Sequence, residues 1–278
     1  MRTIAHISDL HFGRVNTLIP PALRDALIAA GPDIVVVSGD LTQRARTREF
    51  MAARTFLDSV PFQKLIVPGN HDVPLYNVRA RWLSPLTKYR SLINDDLDPF
   101  YCDAEIAVQG INTARSLTFK NGRINRLQIE RTCQRLGEAG ADVTRVVVTH
   151  HPFDAPESDS NTGLVGRAQL AVSSFAKCQV DMILSGHLHV GHTGDWARRY
   201  PAQGYSALLI QAGTATSSRY RDESNSWNII RIERPTVKVE RHVWNADTQA
   251  FAISLAQEFV RGPERWTASP RESKSELM

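Results

Sequence analysis

Five short apolar runs in this chain stop on polar residues of the same narrow set, and this repetition constrains the fold more than any other feature. Residues 3–7 lead into Ser8-Asp9-Leu10-His11, residues 33–37 into Ser38-Gly39-Asp40, and residues 63–67 into Pro68-Gly69-Asn70-His71-Asp72. Further on, residues 145–149 give way to His150-His151, and residues 181–185 to Gly186-His187-Leu188-His189. The runs are short and rich in β-branched residues, which predicts strands. Amphipathic stretches near 20–30, 47–59, 125–138 and 165–177 alternate with them, which predicts α/β layering. In an open α/β sheet the carboxyl ends of parallel strands gather along one edge, where ligands bind, so the five clusters are expected to converge.

The rest of the chain reads differently. Past Gly191, residues 207–211, 227–233 and 237–244 are strands without helices between them, the pattern of an antiparallel region, and a short strand pair near 105–109 is assigned to the same part. Residues 79–97, with Trp82 and Tyr89, read as one helical excursion that adds core rather than a cap over a site. Residues 261–278, with Gly262, Pro263 and Pro270, are expected to be a poorly ordered tail behind a single domain of residues 1–260.

Composition excludes several classes. The chain has 278 residues, of which 42% are apolar, enough for a sizeable core and too many for a disordered or collagen-like chain. No apolar run approaches the roughly 18 residues of a membrane span, so a soluble protein is expected. The pI of 9.1 reflects a formal charge of only +4, spread without a dense Lys/Arg run, and a nucleic-acid partner is not expected. Cys102, Cys133 and Cys178 are odd in number and lack CxxC spacing, so they read as buried thiols rather than a disulfide framework. The first residues lack an apolar signal core, which places the expected location in the cytoplasm.

Each polar cluster has an ordinary reading by itself: a capping Asp, an Asx-turn, a surface His pair. Together they supply a metal site. Residues two apart on an extended segment face the same way, which suits Asp9 with His11 and His187 with His189. Asp40 has two oxygens and can bridge two cations, Asn70 offers a neutral amide oxygen, and His71 can donate a proton beside an anion. Strand alternation puts His150 and His151 on opposite sides, so only one is expected to face the site. Two cations about 3.5–4 Å apart would occupy such a set, and nitrogen and oxygen donors without thiolate suit Mn, Fe, Zn or Co.

The order Asp9-x-His11, Gly39-Asp40, Gly69-Asn70-His71-Asp72, His150 and Gly186-His187-x-His189 resembles the calcineurin-like metallophosphoesterase superfamily, over about two thirds of the chain. The resemblance implies a four-layer αββα sandwich of two mixed sheets flanked by helices. It implies that Asp9, His11 and His189 hold one of two divalent metal ions, that Asn70, His150 and His187 hold the other, and that Asp40 bridges. His71 would act at the leaving group. Phosphoprotein phosphatases of the superfamily carry an Asp three residues after the bridging one; Gln43 stands there, which argues against a protein phosphatase and leaves Asp72 as a candidate partner for His71. Ser8-Asp9-Leu10-His11, Gly39-Asp40-Leu41-Thr42 and His150-His151-Pro152 look most like bacterial class III cyclic nucleotide phosphodiesterases. The expected partner is thus a small phosphodiester such as a cyclic nucleotide, with a homodimer left open. UDP-diacylglucosamine hydrolases and DNA nucleases of the superfamily are the alternatives. A scaffold that had lost catalysis would lack ligands or His71, and none is missing. Arg14, Arg115, Arg219 and Arg221 are candidate substrate contacts that read more simply as surface charges, and residues 154–163 form a long loop or a lid.

Overall fold

The computed structural model describes residues 1–75, 78–115, 121–155, 163–200, 205–218 and 223–269. In chain order its strands are β1 (Arg2–Ile7), β2 (Ile34–Ser38), β3 (Gln63–Val67), β4 (Phe100–Cys102), β5 (Ile106–Gly110), β6 (Thr144–Val148) and β7 (Met182–Ser185). Then come β8 (His192–Asp195), β9 (Leu208–Gln211), β10 (Ser226–Glu233), β11 (Thr236–Asn245), β12 (Ala250–Arg261) and β13 (Trp266–Ala268). The α-helices are α1 (Ile19–Ala30), α2 (Thr47–Asp58), α3 (Val78–Leu83), α4 (Thr87–Leu92), α5 (Arg126–Glu138) and α6 (Ala168–Lys177). A seven-stranded sheet runs β13-β12-β11-β10-β1-β2-β3 and a six-stranded sheet β4-β5-β6-β7-β9-β8.

Strand alternation builds the layers. Ile4, Ile34, Val36 and Leu65 of the first sheet meet Val108, Val146, Val148 and Leu184 of the second in a core between the sheets. Their chain neighbours point the other way. Ala5, Val35 and Val37 pack under Leu23, Leu27 and Phe50 of α1 and α2, and Ala107, Val147 and Ile183 under Ile129, Leu136 and Phe175 of α5 and α6. Because both faces of these strands are covered, their sequences are apolar runs rather than alternating ones. Each fully buried Val, Leu or Ile contributes about 1.5–3 kcal/mol relative to an exposed one. The result is the expected αββα sandwich.

Several expectations change. β9 does not join the antiparallel region; it lies parallel to β7 in the second sheet, and β5 lies parallel to β6 there. Residues 79–97 make two short helices rather than one, because Pro85 biases Ser84 away from helical backbone. Tyr89 is fully buried in the outer core, whereas Trp82 is exposed. Arg261, where the tail was expected to begin, closes β12, and Trp266–Ala268 pairs with its end as β13, while residues 270–278 of that expected tail lie outside the described residues. The cysteines are not buried thiols: Cys133 of α5 and Cys178, just past α6, form a disulfide with Cα atoms 5.5 Å apart, and Cys102 is exposed. Among the described residues no helix is long and apolar enough to cross a membrane.

Candidate metal centre

The strand ends deliver their polar residues through strained turns. Asp9 (φ 53°), His11 (φ 47°), Asp40 (φ 54°), His187 (φ 76°) and His189 (φ 63°) all adopt left-handed backbone. Non-glycine residues rarely do so, and such strain persists only where surrounding bonds enforce it. Here they do: Asp9 and His11 donate backbone N–H groups to the carbonyls of Gly39 (3.1 Å) and Asp40 (2.9 Å). Thr214 Oγ1 donates to the Asp9 carbonyl at 2.8 Å, and the backbone N–H of His187 donates to Asp9 Oδ2 at 3.0 Å. Gly39 (φ 93°) must be glycine, since a Cβ there would sit 2.6 Å from the ring of His150.

Two groups of ligating atoms result. In the first, His189 Nε2 lies 3.2 Å from Asp9 Oδ1 and 3.2 Å from His11 Nε2, which is 3.7 Å from Asp40 Oδ2. In the second, His150 Nε2 lies 3.1 Å from Asn70 Oδ1, 3.2 Å from His187 Nδ1 and 3.4 Å from Asp40 Oδ1. Asp40 therefore turns one oxygen toward each group. All seven residues expected as ligands come together, drawn from the ends of β1, β2 and β3 in one sheet and β6 and β7 in the other. His150 Nδ1 points back to the Ser38 carbonyl at 2.8 Å, which presents Nε2 to the site.

The electrostatics fit a cation. Burial works against charge on Asp9 and Asp40, yet His189 and His11 beside the first and His150 and His71 beside the second hold both below the usual carboxylate range. Burial likewise opposes charge on His150, but Asp40 raises it to about 9. Burial and the charge of His150 push His187 down to about 3. A divalent cation between these groups would offset the charge of both buried carboxylates without a proton on the histidines. Asp9 Oδ1 is buried without a hydrogen bond, and His11 and His189 aim ring nitrogens at each other; a cation satisfies all three atoms. The donor set holds nitrogen and oxygen only, which suits a divalent cation.

His71 stands beside these groups. Its ring centroid is 4.8 Å from that of His11, and its backbone N–H donates to Asp40 Oδ1 at 2.8 Å. Asp72 is not its partner. That carboxylate accepts from the backbone N–H groups of Gly69, Leu41 and Thr42 and locks the turn, and burial and the charge of Asp40 raise it to about 6. His71 Nδ1 instead lies 2.8 Å from the backbone carbonyl of Gln43 and 3.4 Å from the side-chain Nε2 of the same residue. His150 and His151 do not face opposite ways either, because β6 ends at Val148 and alternation ends with it. His151 packs its ring 4.6 Å from that of His187 and meets Thr113 Oγ1 at 2.8 Å. Thr113, Thr214 and Ser8, whose hydroxyl donates to Asp9 Oδ2 at 2.6 Å, are supports that the sequence does not single out. Arg14 is exposed, Arg115 is half-buried, and Arg219, Arg221 and most of the 154–163 loop lie outside the described residues.

A two-sheet αββα sandwich carrying nitrogen and oxygen ligands at its carboxyl edge is the metallophosphoesterase fold. The chain belongs to the calcineurin-like phosphoesterase family, which it matches over residues 2–191. It is 25% identical over 205 residues to a probable cyclic nucleotide phosphodiesterase of Synechococcus, spanning 67% of this chain and 73% of that one. It is 36% identical over 80 residues to the glycerophosphodiester phosphodiesterase GpdQ of Enterobacter lignolyticus, a match that spans 25% of this chain and only 29% of that one. The fold is shared with a dimetal phosphatase from Danio rerio at a TM-score of 0.64 and 15% identity, covering 86% of this chain and 95% of that one.

Proposed function

We propose that the chain is a dinuclear metal-dependent phosphodiesterase. Asp9, His11 and His189 would hold one cation, Asn70, His150 and His187 the other, and Asp40 would serve both. The observation that carries this reading is Asp40, with one oxygen toward each group of ligands. When bound, divalent cations supply neutralisation of phosphate charge and acidify water near neutral pH.

The protein's own part is proton control. A departing alkoxide needs a proton, and His71 would give it. The Gln43 carbonyl 2.8 Å from Nδ1 can accept a hydrogen there, an arrangement that would leave Nε2 for the leaving group. The bond from the His71 backbone to Asp40 fixes this imidazole relative to the ligand set. Similarity to the Synechococcus protein makes a 3′,5′-cyclic nucleotide the first diester to try.

The test is to strip the metal, reconstitute with Mn²⁺, and compare cyclic AMP, bis(p-nitrophenyl) phosphate and p-nitrophenyl phosphate. Diesters should turn over faster than the monoester. His71→Ala should lower kcat by about 10²–10⁴-fold on alkyl esters, and by less on nitrophenyl esters, whose leaving group needs no proton. Wild-type turnover by Asn70→Ala at unchanged metal content would overturn the assignment.

A further inference from the structure

A cavity of about 430 Å³ is lined in part by Val73, Leu83, Leu86, Leu97, Asn112 and Arg115. Two of the segments that line it also reach the ligand cluster. Val73 closes the turn that carries Asn70 and His71, and Thr113, between Asn112 and Ala114, bonds the histidine packed on His187. Its volume suits the organic part of a small substrate.

Arg115 is the unusual residue in its wall. The guanidinium is half-buried and, among the described residues, bonds only neutral oxygens: the Asn112 carbonyl at 3.5 Å, the Ala114 carbonyl at 3.2 Å and Gln128 Oε1 at 2.9 Å. Among the described residues no carboxylate pairs with it. The acid that acts on it, Asp98, is engaged by Arg131 and by the Asn112 backbone, while Arg123 and Arg167 add charge of the same sign. Arg90, also in the wall, has Asp95 at 2.7 Å. A partly desolvated cation without a counter-ion is costly unless an anion arrives to pair with it.

We propose that this cavity is a second anion subsite, in which Arg115 receives a phosphate monoester carried on the organic part of a phosphodiester cleaved at the metal cluster. The inference rests on the phosphodiesterase reading for the second half of that statement. Leu83, Leu86 and Leu97 provide the apolar surface for what links the two phosphates. The subsite favours linear diesters with a second charge over a cyclic mononucleotide, which has none to offer.

Adenylyl-adenosine without (ApA) and with (pApA) a 5′-phosphate differ only in that group. In the Mn²⁺-loaded protein, kcat/KM should favour pApA by about tenfold or more, the increment of one charge-assisted contact. Arg115→Met should erase the preference and leave bis(p-nitrophenyl) phosphate unchanged, whereas Arg115→Lys, which keeps the charge, should retain it. Equal values for ApA and pApA in the wild type overturn the proposal, as does a loss in Arg115→Met shared equally by all three substrates, which marks a structural role. If Arg115→Met does not fold, the wild-type and Arg115→Lys ratios decide. Should the loaded protein cleave none of the diesters, the phosphodiesterase reading fails, and calorimetric titration with the uncleaved dinucleotides then decides the subsite: tighter binding of pApA upholds it and equal binding removes it.

Discussion

At the scale of single residues, backbone groups as much as side chains set the geometry of the site. Asp9, His11, Asp40, Asn70, His150, His187 and His189 stand out because each is a ligand type at the end of an apolar run. Position 43 stands out only as lacking an Asp, whereas its backbone carbonyl is what lies nearest His71 Nδ1, and the part played by Asp72 depends on a turn formed by Gly69, Leu41 and Thr42. His6 shows a third case. It lies on β1, fully buried, with Nε2 2.9 Å from Ser38 Oγ of the neighbouring strand, and burial, opposed by Asp9, lowers it to about 3. An unfolded histidine titrates near 6.5, so the folded chain binds this proton more weakly and stability rises with pH between about 3 and 6.5, then levels off. His6→Gln should flatten that slope by up to about 1.4 kcal/mol per pH unit. Urea midpoints of metal-free wild type and variant at pH 4.5 and 6.5 measure the difference; identical slopes would mean that His6 does not titrate in this way.

At the scale of elements, β1, β2, β3, β6 and β7 were readable to within a residue or so, because strands covered on both faces need continuous apolar sequence. β12 was not, since most of it is exposed or half-buried and its residues are held by pairing with β11 rather than by a pattern of their own. The direction of β9 is likewise a matter of which strand it meets. The link between α5 and α6 belongs to this class: Cys133 and Cys178 are 45 residues apart, and only the packing of the two helices on one sheet face brings them together. Closing a loop of that length stabilises by about 2–4 kcal/mol, chiefly through the unfolded chain. Thiol titration of the denatured, unreduced protein should therefore find one reactive group, from Cys102, and three after reduction. The Cys133→Ser/Cys178→Ser variant should lose stability in that range. Three thiols without reductant would show that the bridge does not form.

At the scale of the whole molecule, the ligand set spans the carboxyl edge of both sheets, which elsewhere meet through an apolar core and a few polar links such as Arg261 with Asp181 and Arg2 with Asp103. Three ligand-bearing turns follow β1, β2 and β3 of one sheet and two follow β6 and β7 of the other, so cation binding ties together layers that unfolding must separate. Any ion bound to the folded chain alone stabilises it by mass action, by about 2.7 kcal/mol for each site at a concentration one hundred times its Kd. Mn²⁺ should thus raise the thermal midpoint of the metal-free protein and EDTA should reverse the gain. The variants divide this effect. Asp40 faces both groups, so Asp40→Asn should weaken both sites and abolish most of the Mn²⁺-dependent shift, whereas His189→Ala removes a donor from one group and should leave about one equivalent of metal bound. Metal analysis after dialysis and calorimetric unfolding with and without Mn²⁺ test this together. A wild-type-sized shift in Asp40→Asn would mean that this carboxylate does not connect the two groups, and two equivalents retained by His189→Ala would remove that histidine from the ligand set.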